Sequence, residues 1–266
     1  MLRSAVELAR FRGLVATLTG RELKARYRGS LLGFFWSLAN PLLLLAVYSF
    51  VFGVVFRRPV GGVEPYALFL ITGLFPWVWV SSSMLEGSQA FITHSGLLRK
   101  AVFPLEILPM VAVLSNLVHF LFAVPILLGA LGVGRALGYP LLGPSALLLP
   151  VVVLLQVPMV AGLVLGLAAL NVHFKDVRDI VANLLTLLFF LTPILYPLEA
   201  VGIPALWWLV RLNPFTPYAL AYQQTLFFGV VPDPELWAQM VLVALVAWSC
   251  GTWLFGRLRE TLVEAA

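Results

Sequence analysis

The residues that could carry catalysis in this sequence are few and poorly placed for it. There are three lysines, Lys24, Lys100 and Lys175, and none follows a glycine. A phosphate loop of the GxxxxGK[ST] type needs a lysine there, reaching the phosphates that the loop's backbone N–H groups cradle. Any ATP-driven work therefore requires a second polypeptide. The three histidines, His94, His119 and His173, stand at no metal-ligand spacing, and no HExxH is present. His119, inside an apolar run, reads as a packed or hydrogen-bonded side chain rather than a ligand. The single cysteine, Cys250, excludes an intramolecular disulfide framework and a cysteine-pair metal site. Carboxylates that relay protons or couple to sodium belong inside a membrane span. Here Glu64, Glu86, Glu106, Asp176, Asp179, Glu199 and Glu235 stand at the edges of the apolar runs. That weighs against a secondary transporter and against a membrane enzyme working through paired acids.

These residues are positioned by a set of charge-free runs. The chain is 61% hydrophobic and 11% charged, against about 45–50% and about 25% in soluble domains, which points to lipid as the solvent. The net charge of +5 is no nucleic-acid footprint, because the basic residues lie in short stretches between apolar runs. Gly29–Phe56, Pro65–Leu85, Ile107–Gly134, Ala136–Phe174, Ile180–Leu198 and Leu236–Gly256 contain no charge. Each approaches or exceeds the roughly 20 apolar residues that a helix needs to cross the hydrocarbon layer. Backbone groups in lipid must bond within their own segment, so the runs read as helices, and the alternation of a β-barrel is absent.

The expected fold is a single all-α membrane domain over 1–266, with spans at about 33–56, 66–85, 106–132, 145–170, 180–197 and 236–256. Six crossings place both termini on one side. If that side is the cytoplasm, thirteen basic residues fall inside and four (Arg57, Arg58, Arg135 and Arg211) outside, the positive-inside asymmetry of an inner-membrane protein. The first thirty residues lack the uninterrupted apolar core of a cleavable signal peptide.

Two segments do not fit the crossing pattern. In 1–30, Leu8, Phe11, Val15 and Leu18 recur at helical spacing, with Arg3, Arg10 and Arg21 mostly to one side. This suits a helix lying in the cytoplasmic interface, or a plain basic juxtamembrane tail. The stretch 199–235 is rich in aromatics, with Trp207, Trp208, Phe215, Tyr218, Tyr222, Phe227 and Phe228, yet is broken by Pro204, Pro214 and Pro217. Two short helices dipping into the outer leaflet as a re-entrant hairpin account for this. Such backbone is tolerated at membrane depth only against protein or a water-filled cavity. A simple aromatic belt at the headgroup level would account for any single Trp, though the number of aromatics favours more than a belt.

Several stretches resemble the membrane permeases of ABC-type polysaccharide exporters, the type 2 ABC permeases that move O-antigen, capsule and teichoic acid chains. The run from Arg21 through Lys24, Arg26, Tyr27, Arg28, Gly33 and Trp36 to Pro41 is similar to the family's entry into its first span. Gly96-Leu97-Leu98-Arg99-Lys100-Ala101-Val102-Phe103-Pro104 resembles its first cytoplasmic loop, and Asn171-Val172-His173-Phe174-Lys175-Asp176-Val177-Arg178-Asp179 its second. Lys175 there replaces an arginine. Thr192-Pro193-Ile194-Leu195-Tyr196-Pro197 resembles the outer end of its fifth span, and Asn213-Pro214-Phe215-Thr216 the turn of its outer hairpin.

The resemblance implies a homodimer with an interfacial channel for a lipid-linked polysaccharide. Each subunit would bind an ABC ATPase, which holds the ATP and Mg; this chain would need no cofactor of its own. The coupling element would be Ser88–Pro104, with Gly96, Leu97, Leu98, Arg99, Lys100, Phe103 and Pro104, seconded by Lys175 and Asp176. Arg26, Tyr27, Arg28 and Trp36 would form the cytoplasmic entry, the arginines drawing a pyrophosphate through charge-assisted bonds; anchoring of the span explains them equally well. Aromatic rings stack on the apolar faces of sugars, which offers Tyr48, Phe75, Trp77, Trp79 and Tyr196, with Trp36, as a lining, though each also suits core or lipid. Trp207, Trp208, Asn213, Pro214 and Tyr218 would form the outer gate. A type 2 permease for a lipid or drug is the near alternative. A membrane-embedded glycosyl- or acyltransferase would need clustered His and Asp at a membrane face, which the sequence lacks.

Overall fold

The apolar runs fold as helices. The computed structural model describes residues 10–28, 35–55, 60–98 and 104–265, and these contain no β-strand. In chain order the helices are α1 (Arg12–Tyr27), α2 (Trp36–Ser49), α3 (Tyr66–Ser88), α4 (Ala90–Thr93), α5 (Ser95–Leu98), α6 (Ile107–Ala136), α7 (Leu149–His173), α8 (Val177–Leu191), α9 (Pro204–Leu212), α10 (Thr216–Tyr222) and α11 (Pro234–Ala265). Four of them are long and apolar enough to cross a membrane: α3, α6, α7 with the 3-10 turn Pro144–Leu148 before it, and α11.

The other two apolar runs give shorter helices. α2 passes into a π-helical stretch, Phe50–Val55. α8 stops at Leu191, six residues before the boundary that the uncharged run suggests. The cause is local. Thr192 precedes Pro193, whose ring disfavours helical backbone in the residue before it, and Thr192 is extended (φ −82°, ψ 137°). Its hydroxyl turns back to the Leu188 carbonyl at 2.6 Å.

α3 is the inner helix, packed against α2, α6, α7, α8 and α10. α7 and α11 cross where both are small. Gly162 lies against the backbone of Ala247 and Trp248, and Gly251 against that of Gly162. Without a hydrophobic drive between helices in lipid, such close van der Waals contact is what holds them together. α1 lies along α6, with Val15 against Ile107 and Val111, and Phe11, Leu14 and Leu18 beside them. The face expected from Phe11, Val15 and Leu18 therefore rests on the bundle itself; Leu8 lies outside the described residues.

The segment 199–235 divides at Asn213. α9 exposes Leu206, Trp208, Leu209 and Leu212, whereas α10 is buried at every position but Leu220. The joint is made by the Asn213 side chain. Its Oδ1 accepts the Phe215 N–H at 3.0 Å, and its Nδ2 donates to Thr192 Oγ1 at 2.9 Å.

Candidate functional site

The chain's polar side chains gather where α1, the end of α3, α4 and α6 meet. Glu86 stands in the last turn of α3, where the helix dipole disfavours a carboxylate, and it is matched by a cation from α1. Arg26 Nη2 pairs with Glu86 Oε2. Asn116 Nδ2 donates to the same oxygen at 2.6 Å and to the Ala112 carbonyl at 2.9 Å. Arg26 Nη1 donates to Asn116 Oδ1 at 3.1 Å and meets His119 Nδ1 at 3.2 Å. Arginine has no acceptor, so Nδ1 accepts and the His119 proton sits on Nε2. His119 is thus the hydrogen-bonded side chain its setting suggested.

One turn earlier on α1, Glu22 Oε2 stands 3.8 Å from His94 Nε2, just beyond α4. His94 Nδ1 donates to the Ala90 carbonyl at 3.0 Å. Both ring nitrogens therefore stand toward acceptors, which favours the charged ring. The bond to Glu22 raises the His94 pKa above its ordinary value, seconded by the Ala90 bond and opposed by burial. The His94 bond and charge, with Arg26 beyond, lower that of Glu22. At the start of α6, Glu106 is buried, with Arg259 of α11 3.9 Å from its Oε1. Among the described residues, no three His, Cys, Asp or Glu side chains are placed to hold a metal.

The residues expected to couple to an ATPase are dispersed around this cluster. Gly96 is exposed in α5, Leu97 and Leu98 end that helix, and Pro104 opens the approach to α6. Arg99, Lys100 and Phe103 lie outside the described residues. Lys175 and Asp176 are exposed in the turn between α7 and α8. Of the expected entry residues, Arg26 is taken up by Glu86, Arg28 is exposed, Tyr27 closes α1 and Trp36 opens α2, 46% exposed.

The rings expected to line a channel do not form one surface. Phe75, Trp77 and Trp79 are buried inside the subunit. Trp79 stacks on Phe120 with centroids 5.4 Å apart, and Trp77 sits between Phe189 and Phe215. These three pack within the core of the single chain, α3 being its innermost helix. Tyr48 is half-buried against Phe189, and Tyr196 donates to the Phe190 carbonyl at 3.0 Å.

The 199–235 segment is bonded into the bundle. Tyr218 donates to the Met240 carbonyl at 2.8 Å and lies 3.3 Å from that of Leu155, while Tyr222 donates to Gln156 Oε1 at 2.7 Å. Trp207 carries the Arg211 guanidinium over its ring, Trp208 is exposed and Pro214 is exposed at the joint. Sequence reasoning missed Glu22, Glu86, Asn116 and His94 as partners. The available signal was Asn116 and His119, polar and three apart on one face of an otherwise apolar helix.

Residues 13–227 match the family model of ABC-2 type transporters. The chain belongs to this family. It is 39% identical over the full length of both chains to the O-antigen export system permease protein RfbA of Myxococcus xanthus. It is 31% identical, over 94% of each chain, to a protein of that name from Klebsiella pneumoniae. The polysialic acid transport protein KpsM of Escherichia coli aligns over the full length of both chains at 22% identity. The ABC-2 assignment accounts for the all-helical, multi-pass architecture. The polar cluster of Arg26, Glu86, Asn116 and His119 is then the internal tie between the N-terminal helix and two of the helices long enough to span a membrane.

Proposed function

We propose that this chain is the membrane subunit of an ATP-driven exporter that moves a lipid-linked polysaccharide of the O-antigen type across the cytoplasmic membrane. The observation that carries this is the end-to-end similarity to O-antigen export permeases in a chain whose own sequence holds no phosphate loop. A separate ABC ATPase binds the ATP and Mg. α2 with its π-helical continuation and α8 complete six spans with the four longer helices, and both termini lie in the cytoplasm, as the distribution of basic residues favours. α1 lies along the cytoplasmic interface, and α9 with α10 forms the outer re-entrant hairpin.

Two copies assemble around a channel. The reading is supported by the apolar side chains left exposed on α2 (Leu43, Val47), its π-helical continuation (Phe50) and α8 (Ile180, Leu187, Phe190). The ATPase docks on the Ser88–Pro104 connection, with Lys175 and Asp176 as a second contact. Co-purification with an ABC ATPase of the same organism, followed by transport of a labelled lipid-linked glycan into vesicles, tests the whole reading. The double variant Leu98→Asp, Arg99→Glu should insert normally, keep ATP hydrolysis and lose export. Normal export by that variant removes the docking site. Transport of a drug or free lipid in place of the glycan removes the substrate assignment.

A further inference from the structure

α1 roofs an apolar groove of about 970 Å³ whose other walls are α6, α7 and α11. Nearly all of its lining is hydrocarbon side chain. The one charged side chain on it is Arg12, exposed and with no carboxylate paired to it among the described residues. An apolar groove in a membrane protein with a cation at its rim matches an amphiphile with an anionic head.

We propose that this groove holds the acyl chain of an anionic phospholipid. The headgroup phosphate sits against Arg12. The hydrocarbon surface, with Ala16, Leu117, Ala161 and Trp248 among its lining, takes any acyl chain and sets no headgroup preference. Arg12 sets that preference, since a basic side chain near the surface attracts anionic lipid. The groove lies on the flank formed by α1, α6, α7 and α11 and includes no residue of α2 or α8. It is therefore separate from the faces assigned above to the second copy, and the proposal stands apart from the transported substrate.

The test uses the full-length chain, delipidated in mild detergent and titrated with phosphatidylglycerol or with phosphatidylcholine of the same acyl chains. Native mass spectrometry counts the bound lipid. One phosphatidylglycerol per chain should be retained in preference to phosphatidylcholine. Arg12→Gln should lower its retention about fivefold and abolish the preference. Ala16→Phe, at an exposed position of α1 that tolerates the ring, should exclude both lipids. Equal retention by the parent, Arg12→Gln and Ala16→Phe chains overturns the proposal, as does equal binding of the two lipids. So does selective capture of a polyprenyl phosphate in place of phosphatidylglycerol, or loss of self-association by Ala16→Phe with its lipid count unchanged.

Discussion

Replacing Gly251 by alanine should unseat the last helix. A methyl there would stand 2.5 Å from the Gly162 carbonyl carbon and 2.9 Å from its Cα, where carbon atoms settle at about 3.5–4.0 Å. α7 and α11 would have to part by about 1 Å. Because the obstacle is backbone, no rotamer change relieves it. Overpacking of this kind costs about 1–3 kcal/mol, and the rigid partner puts Gly251→Ala at the upper end. The gain from exchanging a helical glycine for alanine, about 0.5–1 kcal/mol, leaves a net loss of about 2 kcal/mol. The controls are Gly166 on α7, Gly256 on α11 and Gly129 on α6. Gly166→Ala meets its nearest atom at 3.4 Å, and Gly256→Ala and Gly129→Ala meet nothing within 4 Å, so all three should be neutral or stabilising. Thermal unfolding in detergent, read as the loss of the monodisperse peak after heating, gives the ranking. A Gly251→Ala chain as heat-stable as Gly129→Ala would refute the account of the crossing.

Three further outcomes are expected. Arg26→Met leaves Glu86 without its cation; with both side chains partly exposed the loss is at most about 1 kcal/mol, so it should appear as faster hydrogen exchange in α1 while the span helices stay protected. The tie between Glu22 and His94 should depend on pH from both sides. The raised His94 pKa means its contribution is complete below the ordinary value of 6.5 and is lost as pH rises through the shifted one, while the lowered Glu22 pKa means loss as pH falls below 4.5. Exchange of the α1 amides should therefore be slowest between those limits, with Arg26 and Glu86 the neighbouring charges, and a flat profile would contradict the pairing. Tyr222→Phe leaves the buried Gln156 Oε1 without its donor and should cost about 1–3 kcal/mol, seen as a lower melting temperature that Tyr139→Phe, at an exposed position, does not reproduce.

The long helices were legible because uninterrupted apolar runs of that length admit little else, and the Thr192-Pro193 break could have been read from the proline rule alone. The position of α3 could not be. Its apolar side chains continue around the whole circumference, so no periodicity distinguishes the face that packs on protein from one that meets lipid. Trp77 and Trp79 consequently looked as suited to a channel wall as to a core. The polar cluster was hidden for another reason. Arg26 is 60 residues from Glu86 and 90 from Asn116, and local spacing carries no information about partners that only tertiary packing brings together. The 199–235 segment lay between these cases: its aromatic content and prolines announced two short helices, while the burial of α10 against the exposure of α9 follows from where Asn213 is bonded.

Several of the bonds that hold the 199–235 segment end on atoms that every amino acid possesses. Tyr218 reaches the main-chain oxygen of Met240, Gln223 that of Pro193, and Ser145 reaches that of Thr225. Each donor is a particular side chain, yet each acceptor would survive exchange of the residue that bears it. Apolar side chains can therefore be traded at Met240 for packing alone, while the mooring that fixes α10 stays fast.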